Sequence, residues 1–137
     1  MPRSSIPVTH NEQVKSMSIV VEDLALGGSG LSVMVKDTID IAGYPTRASS
    51  SALADAPAAG KHAQVVQALL DAGCRISGKT SLHELAFGTT GLNAWTGTAA
   101  NPRYPGYIPG GSSSGSAAAV AAGLCDFALG TDTGGSV

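Results

Sequence analysis

The sequence predicts an α/β fold, in which short buried strands alternate with helices within a single domain. Its length of 137 residues is that of one domain. Apolar residues make up 43% of the chain and charged residues 13%, which indicates a globular body with much buried surface. Short apolar runs with β-branched residues also alternate with segments of helical periodicity, and this alternation favours a layered arrangement of strands and helices.

The first predicted strand follows a polar N-terminus. Residues 1–15 carry few apolar side chains, and we expect them to be loosely ordered. Residues 31–35, LSVMV, form a short apolar run that predicts a buried strand ending at residues 36–37. Residues 39–41 can extend this strand to a turn at residues 42–43, where a glycine follows an alanine.

The octet GCRISGKT, residues 73–80, matches the phosphate-binding pattern G-x-x-x-x-G-K-[ST]. That pattern binds phosphate only where a strand precedes the loop and a helix follows the lysine. Here apolar residues recur at helical spacing over residues 61–72, and Gly73 stands where a helix-ending glycine belongs. Residues 74–77 then predict a strand where a phosphate loop must be coil. We therefore predict a helix, a glycine, a strand and a turn, with no bound nucleotide.

The second half of the chain predicts a further helix, a loop and a helix–strand pair. Ser81 and Glu84 have the spacing of a capping box, which predicts a helix beginning at Ser81. The remaining predicted elements are a loop over residues 93–109, a small-residue helix from Ser114 or Ser116 to Gly123, and a strand over residues 127–129.

Composition excludes several classes of protein. The formal charge of −2 and the scattered lysines and arginines argue against nucleic-acid binding. The longest run of low polarity, residues 117–125, is too short to cross a bilayer, and the N-terminus lacks the apolar core of a signal peptide. Cys74 and Cys125 form no CxxC pair, which favours a reducing compartment. We therefore expect a soluble, cytoplasmic protein without a membrane partner.

Two Gly/Ser-rich segments indicate chemistry rather than scaffold. Residues 109–123, PGGSSSGSAAAVAAG, place a Gly/Ser loop before an alanine-rich helix, whose free N–H groups favour a negative charge. Residues 130–137, GTDTGGSV, present consecutive backbone N–H groups around two glycines, next to the hydroxyl of Ser136. This arrangement suits an oxyanion hole beside a serine nucleophile.

A serine nucleophile needs a base, and the sequence offers two kinds of candidate. The three histidines, His10, His62 and His83, have no flanking pattern that singles one out, and HELAF lacks the second histidine of a zinc-protease motif. We therefore expect no metal. Lys36 ends an apolar strand, where burial would lower its pKa towards that of a base. A lysine at a strand end is usually an exposed charge, and the residues alone leave that alternative open.

Four segments in order resemble the amidase signature family: VKDTIDIAGYPTRAS, GKTSLHELAFG, PGGSSSGSAAAVAAG and GTDTGGSV. The resemblance covers roughly residues 31–137. It implies the family's α/β/α layered fold, with a mixed sheet covered by helices. Members of the family are several times longer. Residues 1–137 are therefore expected to form the N-terminal part of a single amidase-signature domain, truncated after the nucleophile loop.

The resemblance also implies a Ser–cis-Ser–Lys triad. The lysine of the family's VKD segment falls on Lys36, and the first serine of its GGSS run falls on Ser112, which follows a cis peptide bond in the family. The serine that closes DTGGS falls on Ser136, the implied nucleophile. The implied oxyanion hole consists of the backbone N–H groups of Thr133, Gly134, Gly135 and Ser136.

The function implied by the resemblance is that of an amidohydrolase. It would cleave a small carboxamide through an acyl-enzyme, without a cofactor. The alternative is the glutamine-amidase (A-type) subunit of a tRNA-dependent amidotransferase. HELAFGTTGLN and the lack of a basic run favour the stand-alone hydrolase. As a fragment the chain is expected to be inactive alone, and unpaired strand edges would allow it to self-associate into a homo-oligomer.

Overall fold

The computed structural model describes residues 17–137, and within them four strands form one mixed sheet. The strands are β1 (Val20–Gly27), β2 (Ser32–Lys36), β3 (Arg75–Thr80) and β4 (Phe127–Leu129), in the order β1-β3-β2-β4. β2 runs parallel to both β3 and β4, whereas β1 is antiparallel to β3. The mixed sheet expected from the sequence is therefore confirmed.

A helix covers each face of this sheet. The helices are α1 (Gln64–Asp71) and α2 (Ser114–Ala121). Successive side chains of β2 point to opposite faces. Val33 and Val35 pack in one apolar cluster with Val66 of α1, and Met34 packs in a second cluster with Ala118 of α2. The three layers place α2 on the face of β2 from which Met34 and Lys36 project.

The phosphate-loop octet folds as a helix end followed by a strand, as predicted. Gly73 follows α1 with a φ of +80°, a conformation that favours glycine. β3 is longer than expected, however, and runs through Thr80, so Lys79 is a strand residue. Lys79 is fully buried, and its Nζ lies 2.7 Å from Asp37 Oδ1. Its ammonium is therefore engaged inside the protein.

ATP should not bind at this octet. Calorimetric titration of ATP into the protein should give no binding heat, because β3 holds the would-be loop extended and Lys79 faces the interior. ATP binding that disappears in Lys79→Ala would contradict this interpretation of residues 73–80.

The helix expected at Ser81 is wrong. Ser81 Oγ donates to the carbonyl of Ser18 at 2.7 Å, and Glu84 Oε1 accepts from Ser50 Oγ at 2.7 Å. Both side chains of the supposed capping box are thus used to join segments that are distant in sequence. What forms is a 3₁₀ turn over Glu84–Ala86.

Two other details of the strands differ from expectation. Residues 39–41 form no strand; the chain turns there, and isolated bridges join Ala42 to Ala59 and Pro45 to Ala58. β1 was not anticipated, because register shifts between Val20 and Glu22 and between Asp23 and Leu26 interrupt its alternation. The expected loop over residues 93–109 is confirmed.

α2 begins at Ser114 and approaches β3 closely at Gly115. The Gly115 N–H donates to the Ser81 carbonyl at 3.0 Å, and a Cβ on Gly115 would lie 2.5 Å from that oxygen. Only glycine permits this contact, so the small-residue helix can lie directly against the end of β3.

None of the helices within residues 17–137 is long and apolar enough to cross a membrane. The N-terminal residues 1–15, for which loose order is expected, lie outside the described part of the chain.

Candidate active site

Lys36 lies at the centre of a cluster of hydroxyl groups. It is the last residue of β2 and is fully buried, so the exposed alternative is wrong. Its Nζ lies 2.7 Å from Ser112 Oγ, 3.0 Å from Ser113 Oγ and 2.7 Å from Thr131 Oγ1. These contacts join the end of β2 to the loop before α2 and to the loop after β4.

The surroundings of Lys36 favour its neutral amine more than water does. Burial lowers the pKa of Lys36 below the ordinary lysine value, because an ammonium loses hydration there, and the Asp132 carboxylate opposes this effect. The three partners of Nζ are uncharged hydroxyls. A neutral amine in such a cluster can accept a proton, as a general base requires.

Ser112 lies in a loop that is tied to the segment after β3. The Gly111–Ser112 peptide bond is cis, and Ser112 is fully buried. The Ser112 carbonyl accepts the N–H of His83 at 3.0 Å. This hydrogen bond fixes the backbone from which the Ser112 hydroxyl meets Lys36.

Ser113 and Thr131 are partners of Lys36 whose role could not be read from the sequence. Ser113 Oγ bridges to the other loop: it accepts the Thr131 N–H at 3.2 Å and donates to the Thr131 carbonyl at 3.2 Å. A hydroxyl residue immediately before DTGGS is a weak signal, because its partner is set only by the fold.

Ser136 reaches the site through its backbone. Its carbonyl accepts the N–H of Ser113 at 3.1 Å, so the two loops lie side by side. Ser136 is half-buried, and residues 132–135 before it are exposed. Within residues 17–137 the side chain of Ser136 makes no hydrogen bond. The structure thus brings Lys36 and Ser112 into contact and places Ser136 on the adjoining loop.

The Asp132 carboxylate engages the loop on which the oxyanion hole was predicted. Asp132 Oδ1 accepts the Gly135 N–H at 2.6 Å. The backbone N–H groups of Gly135, Ser136 and Val137 hold the pKa of Asp132 below its usual value, with Gly135 contributing most. These N–H groups therefore favour a negative charge, the property that an oxyanion hole needs. The assignment of the hole remains a prediction.

An open cleft of about 350 Å³ borders the candidate nucleophile. Its size suits a small ligand. The lining residues are Thr89, Pro109, Gly110, Gly111, Ser113, Ser114, Ala117, Gly135, Ser136 and Val137.

No metal-binding cluster of three or more His, Cys, Asp or Glu side chains occurs in the part of the chain that the structure describes. His83, the histidine of HELAF, instead has its Nδ1 3.4 Å from Thr90 Oγ1. The expectation of no metal and no cofactor stays a prediction.

The mixed sheet with its covering helices matches the fold of amidase-signature structures. The amidase family profile matches residues 22–137. The chain belongs to the amidase family.

Named relatives of this chain include amide hydrolases as well as one component of an amidotransferase. The A-type subunit of the glutamyl-tRNA(Gln) amidotransferase of Salinibacter ruber is 51% identical over 109 residues, covering 80% of this chain and 21% of that protein. Fatty acid amide hydrolase of Arabidopsis thaliana is 49% identical over 108 residues, covering 79% of this chain and 18% of that protein. The chain thus spans about a fifth of the length of these curated relatives.

Solved structures share the fold. The structure of 6-aminohexanoate cyclic dimer hydrolase superposes with a TM-score of 0.84 at 32% identity, covering 93% of this chain and 29% of that one. Its mixed sheet with helices agrees with the arrangement described above.

Proposed function

We propose that residues 1–137 belong to a single amidase domain and carry the catalytic centre of an amidohydrolase that cleaves a small carboxamide. The observation that carries this proposal is the 2.7 Å contact between the buried Lys36 Nζ and Ser112 Oγ. In the proposed mechanism neutral Lys36 takes a proton from Ser112, and Ser112 takes one from Ser136. The Ser136 oxygen then attacks the amide carbonyl.

The rest of the reaction follows by acyl transfer. The C–O bond to Ser136 forms while the carbonyl becomes a tetrahedral oxyanion. Collapse breaks the C–N bond, and the relay returns the proton to the departing ammonia or amine. Water then hydrolyses the acyl-enzyme by the same relay and releases the carboxylic acid.

The proposed oxyanion hole consists of the N–H groups of residues 133–136. In this structure the Gly135 N–H donates a hydrogen bond to the Asp132 carboxylate. During the reaction this hydrogen bond would be replaced by one to the developing oxyanion. The Gly135 N–H would then have a negative oxygen as its acceptor both before and after the exchange. The proposed hole is supported by the N–H groups of Gly135 and Ser136, which lower the pKa of the Asp132 carboxylate and so favour an anion.

The alternative function is that of a glutamine-amidase subunit of a tRNA-dependent amidotransferase. The 51% identity to the amidotransferase component of Salinibacter ruber supports it, but the 49% identity to a plant fatty acid amide hydrolase is nearly equal. Both functions use the same amide-cleaving centre. The stretch HELAFGTTGLN and the lack of a basic run favour the stand-alone hydrolase.

Ammonia release from an amide panel separates the two functions. The full-length protein should release ammonia from small carboxamides, aliphatic or aromatic, and much more slowly from glutamine. Ser136→Ala serves as the blank for contaminating activity. Turnover of glutamine alone would favour the amidotransferase role, and no turnover of any amide would contradict both.

The 137-residue chain by itself is expected to be inactive. Residues 132–135 are exposed and the Ser136 side chain makes no hydrogen bond within residues 17–137, whereas catalysis requires groups held to a fraction of an ångström. Ammonia release by this chain that is lost in Ser136→Ala would show that it assembles a working site. Cytoplasmic location and self-association remain predictions.

A further inference from the structure

Within residues 17–137, the candidate base is one of two fully buried lysines, which lie at or next to the ends of paired strands. Lys36 of β2 pairs in register with Thr80 of β3, and Val35 pairs with Lys79. Thr80 Oγ1 lies 2.8 Å from Ser116 Oγ of α2. The Thr80 side chain therefore points to the face of the sheet that α2 covers, which is also the face of Lys36. Because successive side chains alternate, Lys79 and Asp37 lie on the opposite face.

The partners of the two lysines differ in charge. Lys79 Nζ meets Asp37 Oδ1 at 2.7 Å, the Pro45 carbonyl at 3.0 Å and Thr46 Oγ1 at 3.2 Å. Lys79 Nζ thus donates hydrogen bonds to a carbonyl and a hydroxyl, and it forms an ion pair with the Asp37 carboxylate. Lys36, in contrast, meets only neutral hydroxyls. Lys79 thus has a carboxylate within ion-pairing distance, whereas the hydrogen-bond partners of Lys36 are neutral hydroxyls.

Asp37 also fixes the backbone that follows Lys36. Its N–H donates to the Thr80 carbonyl at 3.1 Å, and its carbonyl accepts from Ala48 at 2.9 Å. Its Oδ2 accepts the Arg47 N–H at 3.3 Å. The Asp37–Lys79 pair therefore joins the ends of β2 and β3 where Lys36 leaves the sheet.

We propose that Lys79 is a positioning residue, which pairs with Asp37 to fix the end of β2 and to cancel the negative charge adjacent to Lys36. This inference rests on the proposed function, in which Lys36 acts as a neutral base. Asp37 is one residue from that base, and its uncompensated carboxylate would favour the ammonium form. Lys79 removes this effect from the opposite face of the sheet without touching the reacting groups.

Few other charges act on Lys36. Asp132 follows β4 and opposes the lowering of the Lys36 pKa. α2 carries no charged side chain, and the His83 ring after β3 faces Thr90. Replacing one member of the Asp37–Lys79 pair therefore leaves an unbalanced charge next to the end of β2. That charge is negative when Lys79 is replaced and positive when Asp37 is replaced.

The test is the pKa of Lys36 measured by NMR with lysine labelled at ¹³Cε in the full-length protein, assigned with Lys36→Arg. Lys79→Gln leaves Asp37 unpaired and should raise the Lys36 pKa by about one unit, the effect of one nearby charge at an intermediate dielectric. Asp37→Asn leaves Lys79 unpaired and should lower it by a similar amount. Asp37→Asn/Lys79→Gln should restore the wild-type value.

The opposite signs separate compensation from simple loosening. A site that merely loosens admits water, so both single variants would raise the pKa of Lys36; that result, or no shift in either, would overturn the inference. If Lys79→Gln does not fold, the other two variants still test the inference. The Lys36 pKa should fall in Asp37→Asn and should not fall in the double variant. An ordinary pKa of Lys36 in the wild-type protein would contradict its proposed role as a neutral base. The inference about Lys79 is tested separately, by the differences in the Lys36 pKa between the variants and the wild type.

Discussion

Ser136→Ala should abolish amide turnover and prevent formation of any covalent acyl-enzyme. The proposed nucleophile is the Ser136 oxygen, and the two serines that contact Lys36, Ser112 and Ser113, are buried and already bound to it. Removing one member of a nucleophile–base unit costs on the order of 10⁴-fold to 10⁶-fold in kcat. The loss should therefore reach the limit of the assay.

Labelling with a fluorophosphonate probe measures this directly. Mass spectrometry of the full-length protein should place the phosphonyl group on Ser136. Ser51→Ala is a matched control, because Ser51 is exposed and distant in sequence from the Gly/Ser loops, and it should label normally. A label on another serine in the wild-type protein would contradict the assignment.

Lys36→Ala should lower kcat by several orders of magnitude. The variant removes the base and leaves Ser112 without its 2.7 Å partner. Lys36→Arg should fail as well, because a guanidinium does not lose its proton at working pH. Lys61 is an exposed lysine, so Lys61→Ala and Lys61→Arg control for loss of a charge alone. Near-normal turnover by Lys36→Arg at neutral pH would refute the relay.

The pH profile carries a further signature of this base. The amine must be neutral to accept a proton, so kcat/KM should rise with pH through the pKa of Lys36. Burial lowers that pKa below its ordinary value of 10.5, so the rise should be centred at a lower pH. A rise centred at 10.5 or above would show that Lys36 is as hydrated as a surface lysine.

Local patterns predicted much of the fold. The helical spacing before Gly73, the apolar run of β2 and the short strand at residues 127–129 each report a strong local preference. β1 was not predicted, because its register shifts interrupt the two-residue alternation of side chains that identifies a strand. The capping box at Ser81 failed because both side chains find tertiary partners.

The candidate site was predictable in part. The positions of Lys36 and Ser112 follow from the resemblance, and the structure brings them into contact. The burial of Lys36 was left open by the sequence, because a strand end can face either water or protein. The partners Ser113 and Thr131 depend on how the loop before α2 meets the loop after β4, and no local pattern encodes that meeting.

The hydroxyl of Ser113 has a consequence for the direction of proton movement at Lys36. A hydroxyl carries one hydrogen, and Ser113 commits it to the Thr131 carbonyl. Ser113 can therefore receive an N–H from Lys36 but has no hydrogen to return to the amine. The lone pair of a neutral Lys36 is left for Ser112 or Thr131, both at 2.7 Å. All three oxygens lie within hydrogen-bond distance of Lys36 Nζ. A neighbour can therefore protonate this amine only if its hydroxyl hydrogen is free.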